Sequence, residues 1–177
     1  MSVLASRAAR AGGDDPVARV PMRATRCYHC GADMGVSVHA QTGTCRVCHR
    51  PLTFSDVRVK MVHWGGVLAS CGSILIEKRA RSIAKVCVAV EGVTILGEHD
   101  GLILSGGPVR VGDGAVLRGG VLAPEMAFGK GAVVEGGPFR VPCDPIGRLN
   151  PDRAALLVSK GRPLPTLDEL RQMPLIA

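Results

Sequence analysis

The chain has 177 residues, a formal net charge of +7, 46% hydrophobic but only 3% aromatic residues, and 23 Gly, 12 Pro and 7 Cys. That length admits one sizeable domain plus a small module and excludes two large domains. So few rings force the core onto Val, Ile, Leu and Ala, which suits thin repeated β layers, and the excess charge is too spread out for a single basic tract. The start of the chain has no apolar core of signal-peptide length, and no run reaches the roughly 18 apolar residues of a membrane span. The chain therefore reads as a cytoplasmic, reduced protein whose paired thiols bind metal.

Residues 1–22 are rich in Ala and Arg and broken by Gly12-Gly13-Asp14-Asp15-Pro16. They read as a flexible basic arm; a helix over 2–11 would have no apolar stripe to bury.

Residues 23–56 hold Cys27-Tyr28-His29-Cys30 and Cys45-Arg46-Val47-Cys48, a C-x2-C-x14-C-x2-C pattern. Each pair makes a tight turn that points two thiolates at one centre. Two such turns complete a tetrahedral all-sulfur site, the structural geometry of Zn²⁺. A module this small buries too little to fold unaided, and zinc supplies on the order of 10 kcal/mol. Cys27, Cys30, Cys45 and Cys48 are the predicted ligands. His29 or His49 replacing a cysteine, haem attachment at Cys45-Arg46-Val47-Cys48-His49 and a redox pair are the alternatives. Four thiolates leave no open position for water, which argues against metal catalysis.

Residues 57–142 repeat. Written as coils starting at Val57, Ile74, Glu91, Val109 and Met126, they have lengths of 17, 17, 18, 17 and 17. The third positions are Val59, Ile76, Val93, Val111 and Phe128; the thirteenth are Ala69, Val86, Ile103, Val121 and Pro138. A one-residue slip in the last coil puts Phe139 and Val141 where Val121 and Ala123 stand one coil earlier. Short apolar runs such as Ile74-Leu75-Ile76 and Leu102-Ile103-Leu104, separated by Gly-containing breaks, predict stacked coils of three parallel strands. About five coils at the strand spacing give a rod roughly 20–25 Å long. A β-sandwich would show turns but no such internal repeat. Cys71 and Cys87 read as packed small side chains.

Residues 143–177 carry five prolines and read as a flexible tail, with one helical turn capped by Thr166 and Glu169.

The succession Gly101-Leu102-Ile103-Leu104-Ser105-Gly106, Val109-Arg110-Val111-Gly112, Arg118-Gly119-Gly120-Val121-Leu122-Ala123-Pro124 and Gly131-Ala132-Val133-Val134-Glu135-Gly136 resembles the core of the bactofilins. The likeness covers about 57–142, and a cysteine knuckle joined to such a core is similar to zinc-ribbon variants of that family. The resemblance implies a right-handed, triangular β-helix that stacks end to end into nucleotide-independent filaments. It further implies a bacterial cytoskeletal scaffold, with membrane or envelope proteins as further partners.

The residues point the same way, because an open β-helix ends in unpaired backbone groups and apolar ladder ends. Phe139, Val141 and Phe128 at one end, and Val57 and Val59 at the other, are the predicted docking residues, with a second copy as partner. Two rival functions stand beside this one. Left-handed β-helix acyltransferases and carbonic anhydrases share Val-Gly-x-Gly-Ala-Val hexads, but they keep coils of 18 and need histidines on the helix. Here His63 and His99 fall at coil positions seven and nine, and His99 reads as an exposed turn residue. No GxSxG, phosphate loop or catalytic carboxylate pair is present, so no enzyme is expected. A nucleic-acid-binding zinc ribbon is the other rival, with Arg19, Arg23, Arg26, Arg46 and Arg50 around the knuckle but only Tyr28 for stacking.

Overall fold

The computed structural model describes residues 20–174. The expected arm lies outside these residues up to position 19, as do the last three residues of the chain, and Met22 already belongs to a strand. Sixteen strands precede two short helices. The first four are hairpins: β1 (Met22–Arg26) with β2 (Asp33–Ser37), and β3 (Thr42–Thr44) with β4 (Pro51–Thr53). The remaining twelve strands pair only in parallel and wind into a β-solenoid of about five turns.

One side of the prism stacks β14 (Met126–Phe128), β11 (Val109–Val111), β9 (Gly92–Ile95), β7 (Ser73–Ile76) and β5 (Val57–Val59). The long strands β6 (Val62–Ser70), β8 (Arg81–Ala89) and β10 (Glu98–Ser105) form the other two sides. In the last two coils each long strand becomes a pair: β12 (Val116–Arg118) with β13 (Val121–Leu122), then β15 (Val133–Glu135) with β16 (Phe139–Arg140). The corner in between, formed by Ala84-Lys85 in coil two, is a positive-φ glycine in coils three to five, Gly101, Gly119 and Gly136. Gly101 has φ +140°, and a Cβ there would lie 1.7 Å from the Ala84 carbonyl oxygen.

The ladders correct the sequence-derived register in the third coil. The stack is Val59, Ile76, Ile95, Val111, Phe128, not one through Val93. The second stack is Leu68, Cys87, Ile103, Val121, Phe139, so Val121 and Phe139 pair as expected while Ala69, Val86 and Pro138 do not belong. The cause lies at the first corner, which takes Glu77 to Ala80 in coil two but only Leu96 and Gly97 in coil three. Residue count drifts at corners, where nothing holds the phase, while the strands stay in line.

The third side is apolar on both faces. Cys87, Ala89, Ile103, Val121 and Ala123 point into the prism, while Val86, Val88, Leu102, Leu104 and Leu122 belong to a second core on its outside. The knuckle covers that outer face through Tyr28, Val36, Leu52 and Phe54. So does the end of the chain, which is not the free tail expected from its prolines. Ile146, Leu149, Ala154 and Leu170 are buried there. Asn150 caps α1 (Pro151–Ser159) by accepting from the Asp152 N–H at 2.9 Å. Thr166 and Glu169 form the predicted capping box of α2 (Leu167–Gln172). Arg148 donates to the carbonyls of Leu170, Arg171 and Met173, closing the C-terminal end of α2. Arg26 pairs with Asp144 at 2.6 Å and Arg50 with Asp152, tying the knuckle to this segment.

His63 and His99 share one ladder. The register runs His63, Ser82, His99, Leu117, Val134, all facing inward. His99 is fully buried rather than exposed, and neither ring nitrogen has a partner; Ser82 Oγ and His63 Nε2 are unpartnered too. Burial brings His99 down to about 4, the neighbouring Asp100 opposing and His63 assisting. The unfolded chain, with an ordinary imidazole near 6.5, binds the extra proton first, so stability falls as pH drops from about 6.5 to 4. In His99→Leu the stability gained over the parent should grow across that window by up to about 3 kcal/mol, read by urea unfolding at successive pH values. A gain that does not vary with pH would show that His99 is not held neutral in the core.

Candidate metal centre and solenoid ends

Each hairpin carries one cysteine pair in its turn, and the two turns are built alike. The Cys27 N–H donates to the Ala32 carbonyl at 2.9 Å and the Cys45 N–H to that of Arg50 at 3.0 Å. The Gly31 N–H donates to the Cys27 carbonyl at 2.8 Å and the His49 N–H to that of Cys45 at 3.0 Å. The residue after each second cysteine is left-handed, Gly31 at φ 77° and His49 at φ 56°. His49 is therefore a turn residue, and neither it nor His29 belongs to the cluster.

These matched turns bring four sulfurs together. Cys27 and Cys48 lie 3.7 Å apart, as do Cys30 and Cys45, and all four sulfurs fall within 4.8 Å of one another. Cys27, Cys30 and Cys45 are buried and Cys48 is half-buried. The His29 N–H points at Cys27 Sγ from 3.3 Å and the Val47 N–H at Cys45 Sγ from 3.4 Å, placing donors where thiolate charge would sit. Burial raises the Cys27 and Cys30 thiols. It acts the same way on Cys45, but the N–H groups of Cys48 and Val47 outweigh it and bring that thiol down to about 7. The cluster can hold a metal ion, and it is the group of thiols that the spacing singled out. The other three cysteines are placed differently: Cys143 is half-buried, and Cys71 and Cys87 are fully buried, which pushes them up to about 11 and about 12.

The solenoid ends are the second candidate surface. At the last coil Phe128 is 59% and Phe139 40% exposed, although their ladder neighbours Val111 and Val121 are buried. Val141 is exposed beside them. The C-terminal segment packs against the side of the prism and leaves these rings uncovered. At the first coil Val57 is half-buried, and Val59 is buried within its ladder and offers no side chain. The most exposed apolar residues of this coil are Met61, Val62 and Trp64, the last 84% exposed; Val62 and Trp64 flank the inward-facing His63 and so face the outside of the prism. The run Met61-Val62-His63-Trp64 carried that signal, since its outward residues have no polar alternation. Strands β5 and β6 at one end, and β14, β15 and β16 at the other, have a neighbour on one edge only.

The chain matches no protein-family model, no curated protein and no solved structure. No helix among the described residues is long and apolar enough to cross a membrane.

Proposed function

We propose that this chain is a non-enzymatic structural scaffold that adds copies of itself end to end into nucleotide-independent filaments. The observation that carries the reading is the contrast along the ladders: residues of one type are buried in coil four and bare in coil five. A second copy continuing the stack would cover Phe128 and Phe139 and pair the open strand edges at the same time. This is the assembly expected of a bactofilin-like scaffold, for which an envelope or membrane protein would be a further partner and the cytoplasm the setting.

The metal of this reading is zinc. Sulfurs about 2.3 Å from a central ion lie about 3.8 Å apart along the edges of a regular tetrahedron, close to the 3.7 Å separations here. Cys27, Cys30, Cys45 and Cys48 would hold the ion, which would staple the two hairpins and supply no reactive site. The rival nucleic-acid reading gains little from the arginines. Of the five arginines around the knuckle, Arg23, Arg26 and Arg50 are paired with Glu91, Asp144 and Asp152, Arg46 is in no ion pair among the described residues, and Arg19 lies outside them.

Purified protein should form filaments without nucleotide in negative-stain microscopy. Phe139→Arg should raise the concentration needed by roughly ten- to a hundredfold, since burying a phenylalanine is worth about 1.5–3 kcal/mol. Monomers at every salt and protein concentration would refute the assembly reading, and unchanged filaments in the variant would remove Phe139 from the contact. Elemental analysis should find one zinc per chain, lost together with hairpin structure in Cys45→Ser; a wild-type chain without metal would refute the zinc assignment.

A further inference from the structure

Between the glycine corner of the prism and the segment after α1 runs an open groove of about 490 Å³, within the range of small-molecule sites. Its floor is backbone: Gly101 and Gly119 stack on successive coils with φ of +140° and +138°. A Cβ on Gly119 would lie 2.1 Å from the Gly101 carbonyl oxygen, so no side chain can rise there. The groove extends from coil three to coil five, two strand spacings or about 10 Å. Leu102 and Pro138 line it from the prism, Val158 and Leu164 from the opposite wall.

Two cations complete the lining, Arg140 and Arg162, and no carboxylate does. Neither arginine is in an ion pair among the described residues. Arg140 donates to the Pro165 carbonyl at 3.5 Å, which leans it against the wall formed by residues 161–165. Glu169, on which Arg140 acts electrostatically, is already committed to the capping box with Thr166. An apolar trough edged by two guanidinium groups that are in no ion pair among the described residues is complementary to an alkyl chain bearing an anionic head. The chain would lie over Pro138, Val158 and Leu164, with the buried Leu102 beneath, and the planar guanidinium groups would take two oxygens of the head group.

We infer that this groove binds a single-chain anionic amphiphile, an alkyl carboxylate or alkyl phosphate, on the side of the solenoid. The site is separate from the thiol cluster and reaches the last coil on the side of the prism, where Pro138 and Arg140 flank Phe139.

The test is calorimetric titration of the metal-loaded full chain with dodecanoate, dodecyl phosphate, dodecyl maltoside and inorganic phosphate, each amphiphile below its micellar concentration. One alkyl anion or both should bind at one site per chain, and the better of the two identifies the head group. Arg162→Glu should weaken binding by about tenfold or more without changing the fold, because it removes a charge-assisted contact and adds a repulsive one. Val158→Trp should block the trough. Binding of neither alkyl anion would overturn the assignment. Equal binding of dodecyl maltoside would show that the arginines read no charge, and equal binding of inorganic phosphate that the trough is not used. Undiminished binding by a folded Arg162→Glu protein would place the amphiphile elsewhere.

Discussion

The structure depends on one column of side chains, the outward-facing Val86, Val88, Leu102, Leu104 and Leu122 on the third side of the prism. A parallel sheet exposing such a column to water would be poorly soluble and prone to stick, so it must be covered. The chain covers it from both directions, with the cysteine hairpins that precede the solenoid and the two short helices that follow it. Three segments that look independent in sequence therefore share one apolar core.

That shared core explains how modest elements persist. Neither two short hairpins nor helices of nine and six residues would hold their shape alone. Glycine permits the close approach this requires: a Cβ on Gly147 would lie 2.5 Å from the Gly31 Cα, where the C-terminal segment meets the first cysteine turn. The same arrangement directs where the molecule can meet others. Cover on the third side is supplied internally, whereas the two coil ends are left with open strand edges and uncovered rings.

Much of this is legible in the sequence, and the departures have physical causes. The cysteine spacing shows the cluster because ligand geometry is local and stereotyped. The parallel coils are legible because ladders demand like residues at like positions. Phase was lost at Glu77-Lys78-Arg79-Ala80, where a corner can lengthen without disturbing the strands. That slip placed His63 and His99 out of register, and the flanking Glu98 and Asp100 made a buried imidazole read as an exposed turn residue. The tail read as free because Pro145, Pro151, Pro163 and Pro165 suggest a linker. Yet Pro151 opens a helix at the position where its missing N–H costs nothing. The uninterrupted run Val86-Cys87-Val88-Ala89-Val90 was the available signal for a strand buried on both faces, since a solvent-facing strand would alternate.

The most direct test of this account is native-state hydrogen exchange on the Phe139→Arg protein, comparing the amides of Cys45 in the knuckle, Leu104 on the third side and Ala154 in α1. A common core predicts opening free energies that agree within about 1 kcal/mol and converge with denaturant. Exchange of the Cys45 and Ala154 amides through openings several kcal/mol easier than that of Leu104 would contradict it, showing knuckle and helix to be appendages on a self-sufficient solenoid.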